Sequence, residues 1–378
     1  MTGVSGTVPA QPVTTIASRA SAAAAEEVRL LTDSLDAILG RGVTDSAFPG
    51  AIAIVGTHEG ILVERAAGRL DWAPSPAPNA ETLWDLASLT KVVALTTSIM
   101  ILVEEGRLDL DAPVQRYLPE FRGRYKERVT VRHLLTHSSG LPAWRPLYKE
   151  ARSRGDAIAI VLSTPLDTVP GVRMVYSDLG AILLGEIVAR ITGESLDRFA
   201  ARRIFDPLGM RDTQFRPPVT LRQRAAPTEI DPWRQRHLRG EVHDENAYAL
   251  GGVSGHAGLF STARDLARFA QALLNGGSLD GVRLVSDTIL ARFTTRQDST
   301  LSHRALGWET ATGSNSGGHF ASARAFGHTG FTGTSLWIDP ERDRFVILLT
   351  NRVNPTRERF GISGVRVRVA DLVFGNGR

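Results

Sequence analysis

Apolar positions come in short runs bounded by turn residues near both ends of the chain, and at helical spacing through its middle. Residues 50–56 (GAIAIVG) and 61–71 (ILVERAAGRLD), joined by Thr57-His58-Glu59-Gly60, read as a β-hairpin. Residues 334–339 (TSLWID) and 344–351 (RFVILLTN), joined by Pro340-Glu341-Arg342-Asp343, read as a second. Between them, residues 84–108 run from Ser88 to Gly106 without Gly or Pro, which predicts one helix closed by glycine. Its positions Val92–Leu95 and Ile99–Leu102 leave little polar face, so it should be buried on most sides.

Further helices are predicted at 131–137, 179–191, 195–204 and 264–274, the last opened by Ser261 or by the capping box Thr262-x-x-Asp265. An amphipathic helix is predicted at 22–39 and a final one at 365–374, while residues 1–20 have the composition of a disordered arm. Residues 215–250 are polar, rich in Arg and Pro and weakly periodic, the pattern of a long functional or mobile loop. Two hairpins at opposite ends imply one antiparallel sheet built from both termini and flanked by helices, an α+β plan. The sheet domain would be discontinuous, 21–85 with 255–378, around a mainly helical insert at 86–254.

Composition narrows the function. A chain of 378 residues can bury a large core, and its 42% apolar and 22% charged residues exclude a disordered protein. Net charge is only +4, and the basic clusters at 122–128, 216–224 and 234–239 lack interleaved aromatics, so they read as solvated loops and no nucleic-acid partner is expected. The absence of cysteine excludes disulfides and thiolate metal sites. No membrane span is expected. Residues 1–20 lack a signal peptide's early positive charge and apolar segment, which implies the cytoplasm for a full-length sequence and the periplasm or exterior if a leader has been removed. Oligomeric state is not written in these features.

The candidate chemistry starts at Ser88-x-x-Lys91, where the apolar helix begins. Residues three apart on a helix are neighbours, so the Lys91 amine can reach the Ser88 hydroxyl. Burial and the positive end of the helix dipole should depress the lysine pKa, and a neutral amine can take the proton of an attacking serine. Alternatively, Ser88 is only an N-cap and Lys91 a snorkelling surface lysine. Only three of the 44 basic residues are lysines, so a lysine inside an apolar helix points to a cation that must be able to lose its proton, as Arg cannot. Tyr176 stands where a loop meets a buried helix, so its phenol could shuttle a proton. Phe326-Gly327-His328-Thr329-Gly330 precedes the C-terminal hairpin, with small residues that let a strand edge line a pocket.

Competing hydrolase signals are incomplete. Gly252-Val253-Ser254-Gly255 is followed by His256 rather than the glycine of a nucleophile elbow. His133 and His137 have zinc-ligand spacing but lack the adjacent Glu, and structural roles are expected for both. His243, Asp244 and His256 could gather around a metal, with capping and loop-tying the favoured reading. No metal or cofactor is expected.

In this order, SLTK at Ser88–Lys91, YSD at Tyr176–Asp178 and HTG at His328–Gly330 resemble the Ser-x-x-Lys, Tyr-x-Asn and Lys/His-Thr/Ser-Gly motifs of the serine β-lactamase/penicillin-binding-protein superfamily, in its class C-like branch. The phrases LLTHSSGL, IFDPLGM and GHAGLFST extend the likeness over roughly residues 45–355. The resemblance implies a β-lactamase-like fold and an acyl-enzyme on Ser88, with Lys91 and Tyr176 sharing acid–base duty. It also implies substrate contacts from Asp178, His328, Thr329, Gly330 and Phe331, and an oxyanion hole from the Ser88 amide and that of Phe331 or Thr332. Asp178 replaces the usual Asn: if ionised it would raise the Lys91 pKa, or pair with the lysine and leave Tyr176 as the working base. His328 replaces the lysine of true β-lactamases and holds a carboxylate less firmly. The expected substrate is a small ester, amide or β-lactam. Esterase action is the first reading, a D,D-carboxypeptidase the second and a non-catalytic binding or sensing module the third.

Overall fold

The computed structural model describes residues 16–375, with side chains from residue 24 onward. Helix α1, Ile16–Thr44, precedes a hairpin of β1 (Gly50–Thr57) and β2 (Gly60–Gly68). The C-terminal third supplies β3 (Glu309–Thr310), β4 (Phe326–Thr329), β5 (Ser335–Asp339) and β6 (Arg344–Thr350). These form one antiparallel sheet in the order β3-β4-β5-β6-β1-β2, so the two chain ends meet where β1 pairs with β6, Ala51 opposite Thr350 and Val55 opposite Val346.

All eight residues of β1 are buried, because the sheet is covered on both faces. Ala51, Ala53 and Val55 pack with Leu31, Leu35 and Leu39 of α1 and Val365 and Val369 of the last helix. Ile52 and Ile54 point the other way, into the main core with Leu266 and Phe269. A strand's period of two thus separates two cores.

Helix α2, Ala87–Glu104, opens with a 3₁₀ turn, passes through a π-helical stretch, Lys91–Thr96, and ends as α-helix, Thr97–Glu104. By length and composition it could cross a membrane, contrary to the expectation that no segment comes close. It is instead 83% buried inside the protein, the position of a core helix. Helices α3 (Asp178–Thr192), α4 (Ala263–Leu274) and α5 (Ile362–Gly375) complete the frame. Ser177 caps α3 through Gly180, and the Thr262 side chain accepts from the Asp265 amide at 3.2 Å, as its spacing predicts.

Two expectations change. Residues 16–20, assigned to the arm, begin α1; residues 1–15 lie outside the described residues. The stretch 215–250 is ordered, with a 3₁₀ turn (Val219–Arg224), a hairpin (Pro227–Asp231 with Arg236–Arg239) and a short helix (Glu245–Ala249). Arg234 organises it: its buried guanidinium bonds to Asp231 and to the carbonyls of Val242 and His243. The polar pattern reflected internal pairing rather than solvation.

Helix α3 packs tightly on the chain at Gly255, where a Cβ would stand 2.1 Å from the Ala181 carbonyl oxygen. Gly255→Ala must push α3 away, so a loss of about 1–3 kcal/mol is expected in urea denaturation. An unchanged midpoint would show that this contact is slack.

Candidate active site

Ser88 lies in the first turn of α2, and the backbone there is strained. Ala87 has φ +46°, the left-handed region that costs a non-glycine residue roughly 1–2 kcal/mol. The Ala87 amide donates to Asp85 Oδ1 at 2.9 Å, and the His243 amide to Asp85 Oδ2 at 2.6 Å. Burial pushes the Asp85 carboxyl up, while these two donors oppose the shift. Ser88 is not the N-cap of its turn, which removes the capping explanation: Leu86 holds that position without a side-chain bond.

Lys91 is 3% exposed, not a snorkelling surface lysine. Its Nζ donates to Ser88 Oγ at 3.0 Å and to the His256 carbonyl at 3.0 Å. Asp178 Oδ1 stands 2.7 Å away in an ion-pair contact, without the alignment of a hydrogen bond. The expected depression of the Lys91 pKa is reversed. Burial pushes it down, but the Asp178 carboxylate and the Tyr176 phenol outweigh burial, and the net shift is upward. Lys91 is an ammonium.

The His256 carbonyl is held from behind. Ser254 Oγ bonds to His256 Nδ1 at 2.7 Å, and His256 Nε2 to Asp244 Oδ1 at 2.8 Å. Asp244 also caps the helix Glu245–Ala249. This Ser–His–Asp chain stiffens the peptide that receives Lys91, the loop-tying role favoured for His256 and Asp244.

Tyr176 sits between cations: Lys91 Nζ is 4.9 Å and Arg304 Cζ 5.0 Å from its ring centre. The His137 ring packs on it at 4.5 Å, with His137 Nδ1 accepting the Ser177 amide. Burial, then the Arg304 and Lys91 charges, push His137 well below its ordinary range, so it is neutral and structural. His133 has a structural place too, its Nδ1 accepting the Thr130 amide in a capping box.

Strand β4 closes the other side. Thr332 and Thr334, just beyond it, donate through Oγ1 to the Asp85 and Leu86 carbonyls at 2.7 and 3.0 Å, clamping the strand edge to the segment that leads into Ser88. A Cβ on Gly330 would lie 2.3 Å from the Leu86 oxygen, so only glycine allows this approach. His328 is buried; burial and the Arg304 and Lys91 charges depress its pKa strongly, and it is neutral. With Nδ1 donating to the Thr329 carbonyl at 2.8 Å, Nε2 is left as a buried acceptor without a partner. Phe331 is 49% exposed, stacked on His243 and lying beneath Arg352.

Ser88, Tyr176, His328, Thr329, Gly330 and Phe331 therefore line one cleft of about 510 Å³. Lys91 and Asp178 sit behind Ser88. Sequence reasoning missed the arginines of this cleft, Arg304, Arg352, Arg359 and Arg366, and Glu309, which accepts from Arg304 Nη2 at 2.7 Å. No motif marks them among 41 arginines (44 basic residues less three lysines).

Known proteins share this plan. A penicillin-binding protein homologue from Caulobacter crescentus superposes with a TM-score of 0.74 at 22% identity, over 91% of this chain and 96% of its own. A family VIII carboxylesterase does so with 0.73 at 24%, over 91% and 97%. In sequence, the "Putative D-alanyl-D-alanine carboxypeptidase" of Escherichia coli (strain K12) is 36% identical over 304 residues, 72% of this chain and 69% of that protein. Its namesake in Salmonella schwarzengrund (strain CVM19633) is 37% identical over 305 residues, with the same coverage. Residues 35–370 match the beta-lactamase family, and the chain belongs to it, as a serine hydrolase of the β-lactamase fold.

Proposed function

We propose that the protein cleaves an amide whose leaving group carries a carboxylate, by D,D-carboxypeptidase-type acyl transfer through Ser88. The observation that carries this reading is the cationic wall beside the nucleophile. His328 is neutral and cannot supply the charge of the lysine it replaces, a point that favoured an esterase in the sequence. Arg304 and Arg366 bring that charge from elsewhere in the fold. The curated relatives' name points the same way.

Ser88 Oγ attacks the carbonyl carbon while its proton passes to the oxygen of Tyr176, which takes it as the phenolate held between the Lys91 and Arg304 cations, its own proton having gone to solvent beforehand. Lys91, already an ammonium, cannot accept that proton; it donates to Oγ and stabilises the charge that develops there. The C–N bond breaks and Tyr176 returns the proton to the departing amine. Water then attacks the acyl-enzyme and gives a proton to the Tyr176 oxygen; the ester C–O bond breaks, Tyr176 passes that proton to the departing Ser88 Oγ, and the acid leaves. The Ser88 amide and that of Phe331 or Thr332 hold the oxyanion. Hydrolysis of short-chain esters uses the same steps with an alcohol as leaving group, and the resemblance in fold to a carboxylesterase suits it.

Ser88→Ala should abolish release of D-alanine from an acyl-D-Ala-D-Ala peptide and the acyl adduct seen by mass spectrometry, with the melting temperature retained; persistent turnover would remove Ser88 as nucleophile. Tyr176→Phe should lower kcat by about 10²-fold or more in a chromogenic ester assay, and a near-normal rate would return the proton transfer to Lys91. Asp178→Asn removes the charge that raises the Lys91 pKa, so burial then lowers it and the ammonium is lost at lower pH. The alkaline limb of kcat/KM should therefore move to lower pH in this variant; an unmoved limb would separate it from Lys91.

A further inference from the structure

The cleft holds more positive charge than one carboxylate occupies. At its inner end Arg304 is buried against the Tyr176 ring; Nη2 is paired with Glu309, but Nε and Nη1 are buried without an acceptor. In the middle Arg366, from α5, donates through Nη2 to the Gly330 and Thr334 carbonyls at 2.7 and 2.9 Å, and its Nε is also buried and unpartnered.

At the outer end Arg352 donates through Nε to the Phe331 carbonyl at 2.7 Å and through Nη1 to the Arg357 and Arg359 carbonyls. Arg359 lies 4.3 Å over the Trp72 ring and donates to the Ser46 carbonyl, with Nε again buried and unpartnered. Among the described residues, Arg352, Arg359 and Arg366 form no ion pair with a carboxylate. Carbonyl oxygens and aromatic faces fix these guanidinium groups in place, and the nearest carboxylates, Glu229 for Arg352 and Glu309 for Arg366, act on them only through space, without a direct ion pair.

Burial, then the nearby charge of Arg352, pushes the Arg366 guanidinium down to about 10. The cluster is under like-charge tension that a bound anion relieves. Glu309 offsets one of the four positive charges, and a leaving-group carboxylate between Arg304 and Arg366 offsets a second. Two remain, Arg352 and Arg359, beside the exposed rings of Phe331 and Phe360.

We propose that the leaving group of the natural substrate carries two anionic groups, and that Arg352 and Arg359 receive the second, a carboxylate or a phosphate. The proposal rests on the acyl-transfer reading above and names the substrate class of that site. The second anion could come from an acidic amino-acid side chain or from a phosphate ester, since both present oxygens to a guanidinium.

The test compares kcat/KM for N-acyl-D-Ala-D-Glu with its D-Gln isostere, and for N-acyl-D-Ala-O-phospho-D-Ser with D-Ser, at fixed ionic strength. At least one dianionic leaving group should be favoured by about tenfold or more, the size of one charge-assisted contact, and the pair that shows it identifies the source. Arg359→Gln should collapse that ratio and Arg359→Lys should restore part of it. Equal rates within both pairs would overturn the proposal. Calorimetric titration of the unmodified protein with glutarate and with butyrate needs no turnover: if every peptide is inert, the carboxypeptidase reading fails, and titration alone decides the second anion. Glutarate bound tenfold or more tightly than butyrate would support it, and equal binding would overturn it.

Discussion

A single ammonium buried in a protein core constrains the whole arrangement. Removing such a charge from water costs several kcal/mol unless partners surround it. Lys91 has three, and they come from distant parts of the chain: Ser88 in its own turn, Asp178 at the start of α3, and the carbonyl of His256 before α4. None can move alone. The close contact at Gly255, the Ser254–His256–Asp244 chain and the capped start of α3 are the means by which the fold holds them.

The same ammonium decides how the chemistry is divided. In the proposed mechanism a charged lysine stabilises negative charge on Ser88 but cannot take its proton, which leaves that role to Tyr176, lying between Lys91 and Arg304. Asp178 is therefore more than a substitute for Asn. It supplies the negative charge that keeps Lys91 protonated despite burial. The local expectation of a depressed pKa, from burial and helix dipole, gives way to the alternative that the Asp178 substitution itself raised, an ionised carboxylate paired with the lysine.

What could be read in advance divides along the same line. The covered sheet, the hairpins, helices α2, α3 and α4, and the motif residues Ser88, Lys91, Tyr176 and His328 were legible, because period, turn chemistry and short motifs are local signals. The length of α1 was not, since Gly40 and Gly42 lie inside the helix, where the sequence suggested a stop. The order in 215–250 was hidden because it depends on buried polar pairing such as Arg234 with Asp231, which leaves no apolar period. Arg304 and Arg366 were invisible for a related reason: a guanidinium turned into a cleft and one in solvent are spelled alike.

That last case shows why a motif substitution cannot be read position by position. His328 in place of lysine removes a cation from β4, and taken alone it argues against carboxylate recognition. In the folded chain the charge has moved rather than gone. Arg304, entering just before β3, and Arg366, on α5, place theirs beside the same strand, while the neutral His328 adds an acceptor atom that an ammonium would lack. A lysine at position 328 would crowd another cation against Arg304, Lys91 and Arg366, the three charges that already depress the histidine. Histidine at this position and arginine at the other two are thus electrostatically linked: a neutral ring on β4 adds no further cation to the two guanidinium groups and the buried ammonium around it.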